Sequence, residues 1–106
     1  MPKANGKKYN IYTYMDDVRR TAVATDLSEY CMGLSGEVGE VLEIIKKHRY
    51  QKKQLDICHL KEETGDALFY LFALMAYYNI DIEDCIKFNI AKRAKKYDKR
   101  IYKVKR

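Results

Sequence analysis

The sequence predicts an all-α domain built from four helices. Apolar residues recur at three- and four-residue steps in four separated segments, and most segment boundaries carry capping or stop residues. Nothing along the chain alternates apolar and polar residues as a ladder of strands would. The first helix is expected over about Tyr14 to Ala24, with Met15, Val18 and Ala22 on one side. Asp26 followed by Glu29 resembles a capping box, and it opens a second helix running to about His48. That helix closes on Lys46, Lys47 and His48, positive charges that suit the negative end of a helix. Arg49 to Gln54 reads as a polar loop. Asp56 is placed to cap a third helix over about Ile57 to Tyr78, Asn79 breaks it, and Asp81 is placed to cap a fourth over about Ile82 to Tyr97.

At 106 residues the chain is expected to hold one domain, with a polar segment over 1–13, a helical domain over 14–98 and a basic tail over 99–106. A domain of this size buries a limited core, so oligomerisation is a natural supplement. The second half of the third helix, Ala67 to Tyr78, is apolar or aromatic all round and so belongs either at the centre of the domain or against another subunit; in so short a chain the second is favoured. The net charge of +6 is concentrated at one end: Lys92 to Arg106 holds nine basic residues and one acidic, a net of +8, which leaves the remainder at −2. Such a block is solvated surface, an attractor of phosphate, or a nucleic-acid arm. There is no apolar stretch long enough to span a bilayer, and Met1 to Tyr14 lacks the apolar core of a secretory signal, so a cytoplasmic protein is expected. Cys31, Cys58 and Cys85 are widely separated and form no CxxC, which argues against a disulfide framework or a structural zinc site.

Two acidic pairs at one-turn spacing, Glu37 with Glu40 and Glu63 with Asp66, fall on the second and third helices. Residues three apart share a helix face, so each pair aims two carboxylates in one direction, and facing helices would gather all four. Four carboxylates repel one another unless protons or a divalent cation neutralise them, and hard oxygen ligands favour Mg²⁺, with Mn²⁺ as a substitute. Gly33, Gly36 and Gly39 frame the first pair. Glycine is a poor helix former, so this stripe reads as a seam for a tightly packed helix, as room for a phosphate or metal, or as both. No glycine loop followed by Lys-Ser/Thr is present, and His48 and His59 read as surface or packing residues rather than partners of a nucleophile.

Gly33-Leu-Ser-Gly-Glu-Val-Gly-Glu40, the Lys46–Lys47 pair, Lys61-Glu-Glu-Thr-Gly-Asp66 and Asn89-Ile-Ala-Lys-Arg93 with Tyr97 follow one another in the order found in the MazG family of all-α nucleoside triphosphate pyrophosphohydrolases, whose signature is ExxE, a spacer and ExxD. The chain resembles that family from about Tyr14 to Arg100. The resemblance implies a four-helix MazG-like bundle that assembles through its helices into a dimer or tetramer, and Mg²⁺-dependent hydrolysis of a nucleoside or deoxynucleoside triphosphate to the monophosphate and pyrophosphate. It implies Glu37, Glu40, Glu63 and Asp66 as metal ligands and catalytic groups, Asn89, Lys92, Arg93 and Tyr97 as substrate contacts, and Glu62 and Lys46 as outer supports. Many members carry tryptophan after the ExxD aspartate, where this chain has Phe69 and Tyr70. A non-catalytic helical dimerisation module and a nucleic-acid-binding protein using the basic tail stand as the other readings.

Overall fold

A computed structural model describes residues 8–23 and 26–96, which form four α-helices: α1 over Ile11–Thr21, α2 over Leu27–Tyr50, α3 over Ile57–Tyr77 and α4 over Ile82–Lys96. The all-α class expected from the sequence holds, with no strand among the described residues.

Local chemistry sets the ends of these helices. α1 begins three residues before the expected Tyr14 because Asn10 and Thr13 form a reciprocal cap: the Asn10 side chain accepts from the amides of Tyr12 and Thr13, and Thr13 Oγ1 accepts from the Asn10 amide at 3.0 Å. Asp26 caps α2 by accepting from the Ser28 amide at 3.0 Å, a simpler cap than the box expected with Glu29. α2 continues two residues past His48, to Tyr50. Asp56 accepts from the His59 amide and Asp81 from the Glu83 amide, each at 3.0 Å, so both anticipated caps form. Asn79 ends the third helical run in a left-handed conformation, φ 53°, which asparagine tolerates better than most residues.

α2 and α3 lie antiparallel and make the most extensive contact in the fold. Their facing residues follow a seven-residue repeat: Leu27, Tyr30, Leu34, Glu37, Val41 and Ile44 on α2, and Leu60, Glu63, Ala67, Tyr70 and Leu74 on α3, are all at least half-buried. Nine of these eleven seam positions are apolar or aromatic, and the other two are glutamates. Gly33 lets the Tyr70 ring lie against the α2 backbone one turn before Glu37, since a Cβ there would come within 2.5 Å of the ring.

The buried core sits at the other end of this hairpin. Met15 and Val18 of α1 meet Tyr30 of α2 and Phe72, Ala73 and Met75 of α3, with the Tyr14 ring edge-on to Phe72 at 5.0 Å. The apolar half of α3 is thus central, and it also keeps Leu68, Leu71 and Tyr77 exposed. α4 joins through its first turns: Ile82 and Cys85 pack against the core, and Tyr12 donates to Glu83 at 2.7 Å. No α4 side chain is buried, and Phe88 and Ile90 face outward.

Candidate metal and active site

The acidic pairs converge because the α2–α3 seam carries one member of each inside it. Glu37 and Glu63 occupy seam positions, while Glu40 and Asp66 stand one turn on at its exposed margin. Carboxylate oxygens of Glu37, Glu63 and Asp66 all lie within 4.8 Å of one another. Glu40 joins them through its contact with Glu63. The four carboxylates predicted from spacing therefore do meet.

Their electrostatics are those of like charges held together. Contact with the Glu63 carboxyl pushes Glu40 above its ordinary range, and contact with Glu37, then burial, does the same to Glu63. Glu37 Oε2 is buried and has no hydrogen-bond partner. An oxygen removed from water with no donor in reach is costly, and folded proteins ordinarily avoid it. The donor set therefore fits a hard divalent cation: several carboxylate oxygens, one of them orphaned, within the span of a single coordination sphere. His59 Nε2 lies 3.4 Å from Glu63 Oε1 and contributes a cation when protonated. That places His59 beside the carboxylates rather than in a merely packing role. The signal for it was present in the sequence, since His59 precedes Glu63 by one turn.

Beyond Glu40 opens a cavity of about 410 Å³ between the last turns of α2, the linker and the first turn of α3. Glu43, Lys47, Lys53 and His59 are among its lining residues. Lys47, not its neighbour Lys46, faces it. Lys46 and Glu62, expected as outer supports, are exposed and belong to neither the cavity nor the carboxylate group. Asn89, Lys92 and Arg93 lie exposed on α4, where Arg93 Nε donates to Asn89 Oδ1 at 2.8 Å, and none of them lines the cavity. Tyr97 and the tail from Lys99 to Arg106 lie outside the described residues.

An all-α hairpin with acids from two helices gathered at its seam defines a class of helical, carboxylate-rich proteins suited to a divalent cation. The MazG nucleotide pyrophosphohydrolase domain matches residues 26–101, and the chain belongs to that family. No curated protein and no solved structure matches it. No helix among the described residues is long and apolar enough to cross a membrane.

Proposed function

We propose that the chain hydrolyses a nucleoside or deoxynucleoside triphosphate to the monophosphate and pyrophosphate, with Mg²⁺ or Mn²⁺ held by Glu37, Glu40, Glu63 and Asp66. The observation that carries this reading is the orphaned Glu37 oxygen within a cluster of acids. When bound, the cation supplies positive charge for the polyphosphate and a more acidic water. The chain's own residues do the rest. Glu37 and Glu63, fixed in the helix seam, hold two oxygens at a set separation. Glu40 and Asp66, at the exposed margin, are reachable by solvent and by a substrate phosphate. A carboxylate at that margin is placed to accept a proton from an attacking water.

The same reading assigns Asn89, Lys92, Arg93 and Tyr97 to the substrate. None of the first three lines the cavity beside the acids, and on this reading a second copy, in a homodimer or homotetramer, brings them in. Exposed Phe88 and Ile90 on α4 support that association. The three cysteines, all free, suit a reducing cytoplasmic compartment.

The test is pyrophosphate release from a panel of NTPs and dNTPs with Mg²⁺, comparing wild type with Glu63→Gln and with a metal-free control. Metal-dependent pyrophosphate, reduced at least a hundredfold in the variant, is expected. Release of orthophosphate alone, or equal turnover by the variant, would refute the assignment.

A further inference from the structure

The hold of the fold on α4 is concentrated at the start of that helix. Ile82 and Cys85 are half-buried against the core, and from Ile86 to Lys96 every residue is exposed. The most extensive helix contact of α4 is with α1. Packing there is open: a cavity of about 340 Å³ is lined by Met15 and Arg19 of α1 and by Asn79 and Ile82 at the α3–α4 junction. A polar contact bridges the two elements. Tyr12 Oη donates to Glu83 Oε1 at 2.7 Å, and Lys87 Nζ lies 3.2 Å from Glu83 Oε2, so both oxygens of that carboxylate are engaged. Tyr12 is fixed from its own side, since its amide donates to the Asn10 side chain at 2.8 Å and α1 is held by the buried Met15 and Val18. The contact moves its partners in opposite senses: Tyr12 is the largest cause holding Glu83 low, and Glu83 the largest raising Tyr12.

Ile82 and Cys85 set the face that α4 turns to the body. Seven residues on from each stand Asn89 and Lys92, which therefore share that face two turns later. Both are exposed, so no burial of their own directs them. Lys92 stands about 14 Å along the axis from Glu83, and a tilt of about 10° at the first turn would shift it by about 2 Å. Ile82 and Cys85 lie on one stripe and resist tilt in one plane. Glu83 is about a third of a turn round the helix from that stripe, so its tie to Tyr12 opposes the motion they leave free.

We propose that Tyr12 and Glu83 are positioning residues: their hydrogen bond fixes the direction of α4 and so the placement of Asn89 and Lys92 on the substrate. The proposal rests on the pyrophosphohydrolase reading, which assigns those two residues to the triphosphate. Neither Tyr12 nor Glu83 touches substrate; both act through the helix. Tyr12 precedes residues 26–101, the part of the chain that the family matches, so α1 brings to the site a support from outside that match. With the bond made, α4 is held in its competent direction. Without it only a fraction of molecules is competent at any moment, and apparent affinity falls by that fraction while the chemical step is unchanged.

The experiment compares Tyr12→Phe, which removes only a hydroxyl, with Glu83→Leu and with Glu83→Gln, which keeps an oxygen for that hydroxyl. Steady-state pyrophosphate release from triphosphates with Mg²⁺ is measured beside amide hydrogen exchange of the same proteins. Tyr12→Phe and Glu83→Leu are each expected to raise KM about fivefold with kcat within about twofold, and Glu83→Gln to stay within about twofold of wild type in both. Exchange should quicken over α4 in the first two variants and stay unchanged over α2 and α3, which also verifies the fold. Should Glu83→Leu fail to fold, Tyr12→Phe and Glu83→Gln carry the comparison. An unchanged KM in Tyr12→Phe would overturn the proposal and leave the hydrolase reading standing, even if α4 exchanged faster. A lowered KM would overturn it too, by making the bond a restraint on α4. Wild type that releases no pyrophosphate from any triphosphate would overturn the hydrolase reading and the proposal with it.

Discussion

At the scale of single residues, Glu37 is the position that is hardest to explain without a cation. Its buried Oε2 finds no donor among its neighbours, which are themselves acids. Glu37→Gln keeps the side-chain shape and supplies an amide able to donate to Glu63. The metal-free variant is expected to melt about 4 °C above metal-free wild type, the worth of roughly one hydrogen bond, and to lose most of the stabilisation by Mn²⁺. Differential scanning fluorimetry with and without Mn²⁺ reads both effects; a variant stabilised by Mn²⁺ as fully as wild type would remove Glu37 from the ligand set. The pH dependence follows from the neighbouring groups. Glu40 and Glu63 are raised in the folded state, so their contribution is fully present below their ordinary values and is lost as pH rises through the raised ones. Asp26, held low by the Ser28 amide, and Glu83, held low by Tyr12, act the other way, losing their contribution as pH falls through their lowered values. Metal-free protein should therefore be most stable in the mildly acidic interval between these windows and weaken toward neutrality. Saturating Mn²⁺ should reverse the slope on the neutral side, because it binds the deprotonated carboxylates. A metal-free melting temperature that rises steadily from pH 5 to 8 would contradict the repulsion within the cluster.

At the scale of helices, the α2–α3 seam decides where the carboxylates stand. Gly33 and Tyr70 form the contact one turn from Glu37 and Asp66, and there the two helices approach backbone to ring. Gly33→Ala places a Cβ within 2.5 Å of the Tyr70 ring, which is half-buried and edge-on to Phe69. Overpacking of this kind costs about 1–3 kcal/mol, against a gain of about 1 kcal/mol from helix propensity. The expected result is a net loss of stability with Mn²⁺ affinity several-fold weaker, as the carboxylates are levered apart. At Gly36 and Gly39 a Cβ meets nothing, so alanine there should stabilise by up to about 1 kcal/mol. Urea unfolding of the three variants checks this, and a Gly33→Ala protein as stable as Gly39→Ala would show that Tyr70 does not space the helices. These elements also mark how far the sequence could be read. Helix number, the caps at Asp26, Asp56 and Asp81, and the meeting of four acids follow from local spacing. The seven-residue repeat was equally present, with Glu37 and Glu63 standing where Leu34 and Ala67 predict apolar residues, and it separates the buried pair from the marginal one. The cavity wall was not legible, because Lys53 reaches Lys47 only through the left-handed turn at Lys52, a conformation no residue type there demands. The split of the glycine stripe into one contact and two open positions likewise depends on the crossing of α2 and α3, which one-dimensional spacing does not contain.

At the scale of the molecule, α4 makes its most extensive helix contact with α1 rather than with the α2–α3 hairpin that carries the acids, and a single chain leaves much apolar area in water. Val38, Leu42 and Ile45 form an exposed stripe on α2, Leu68 and Leu71 are exposed on α3, and Phe88 and Ile90 on α4. The buried core among the described residues is six apolar side chains, little for a domain of this length, and the exposed stripes on three helices would suit the second copy proposed above. Association on a two-fold axis would bury each stripe twice and carry α4 of one copy toward the α2–α3 seam of the other. Complementation distinguishes such a shared site from one completed within a chain. Glu63→Gln removes a carboxylate, and Arg93→Ala removes an α4 contact; each homo-oligomer should be inactive. Mixed and allowed to exchange subunits, half the dimers are hybrids, and each hybrid has one site free of both changes when the groups come from different chains. Activity should then return to about a quarter of wild type. Leu42→Lys, which places a charge in the α2 stripe, should reduce both the mass seen by light scattering and the recovery on mixing, while Mn²⁺ still binds the carboxylates. Hybrids confirmed by native mass spectrometry with no recovered activity would mean that each site is completed by its own α4, and that this helix must swing from its present place to reach the acids.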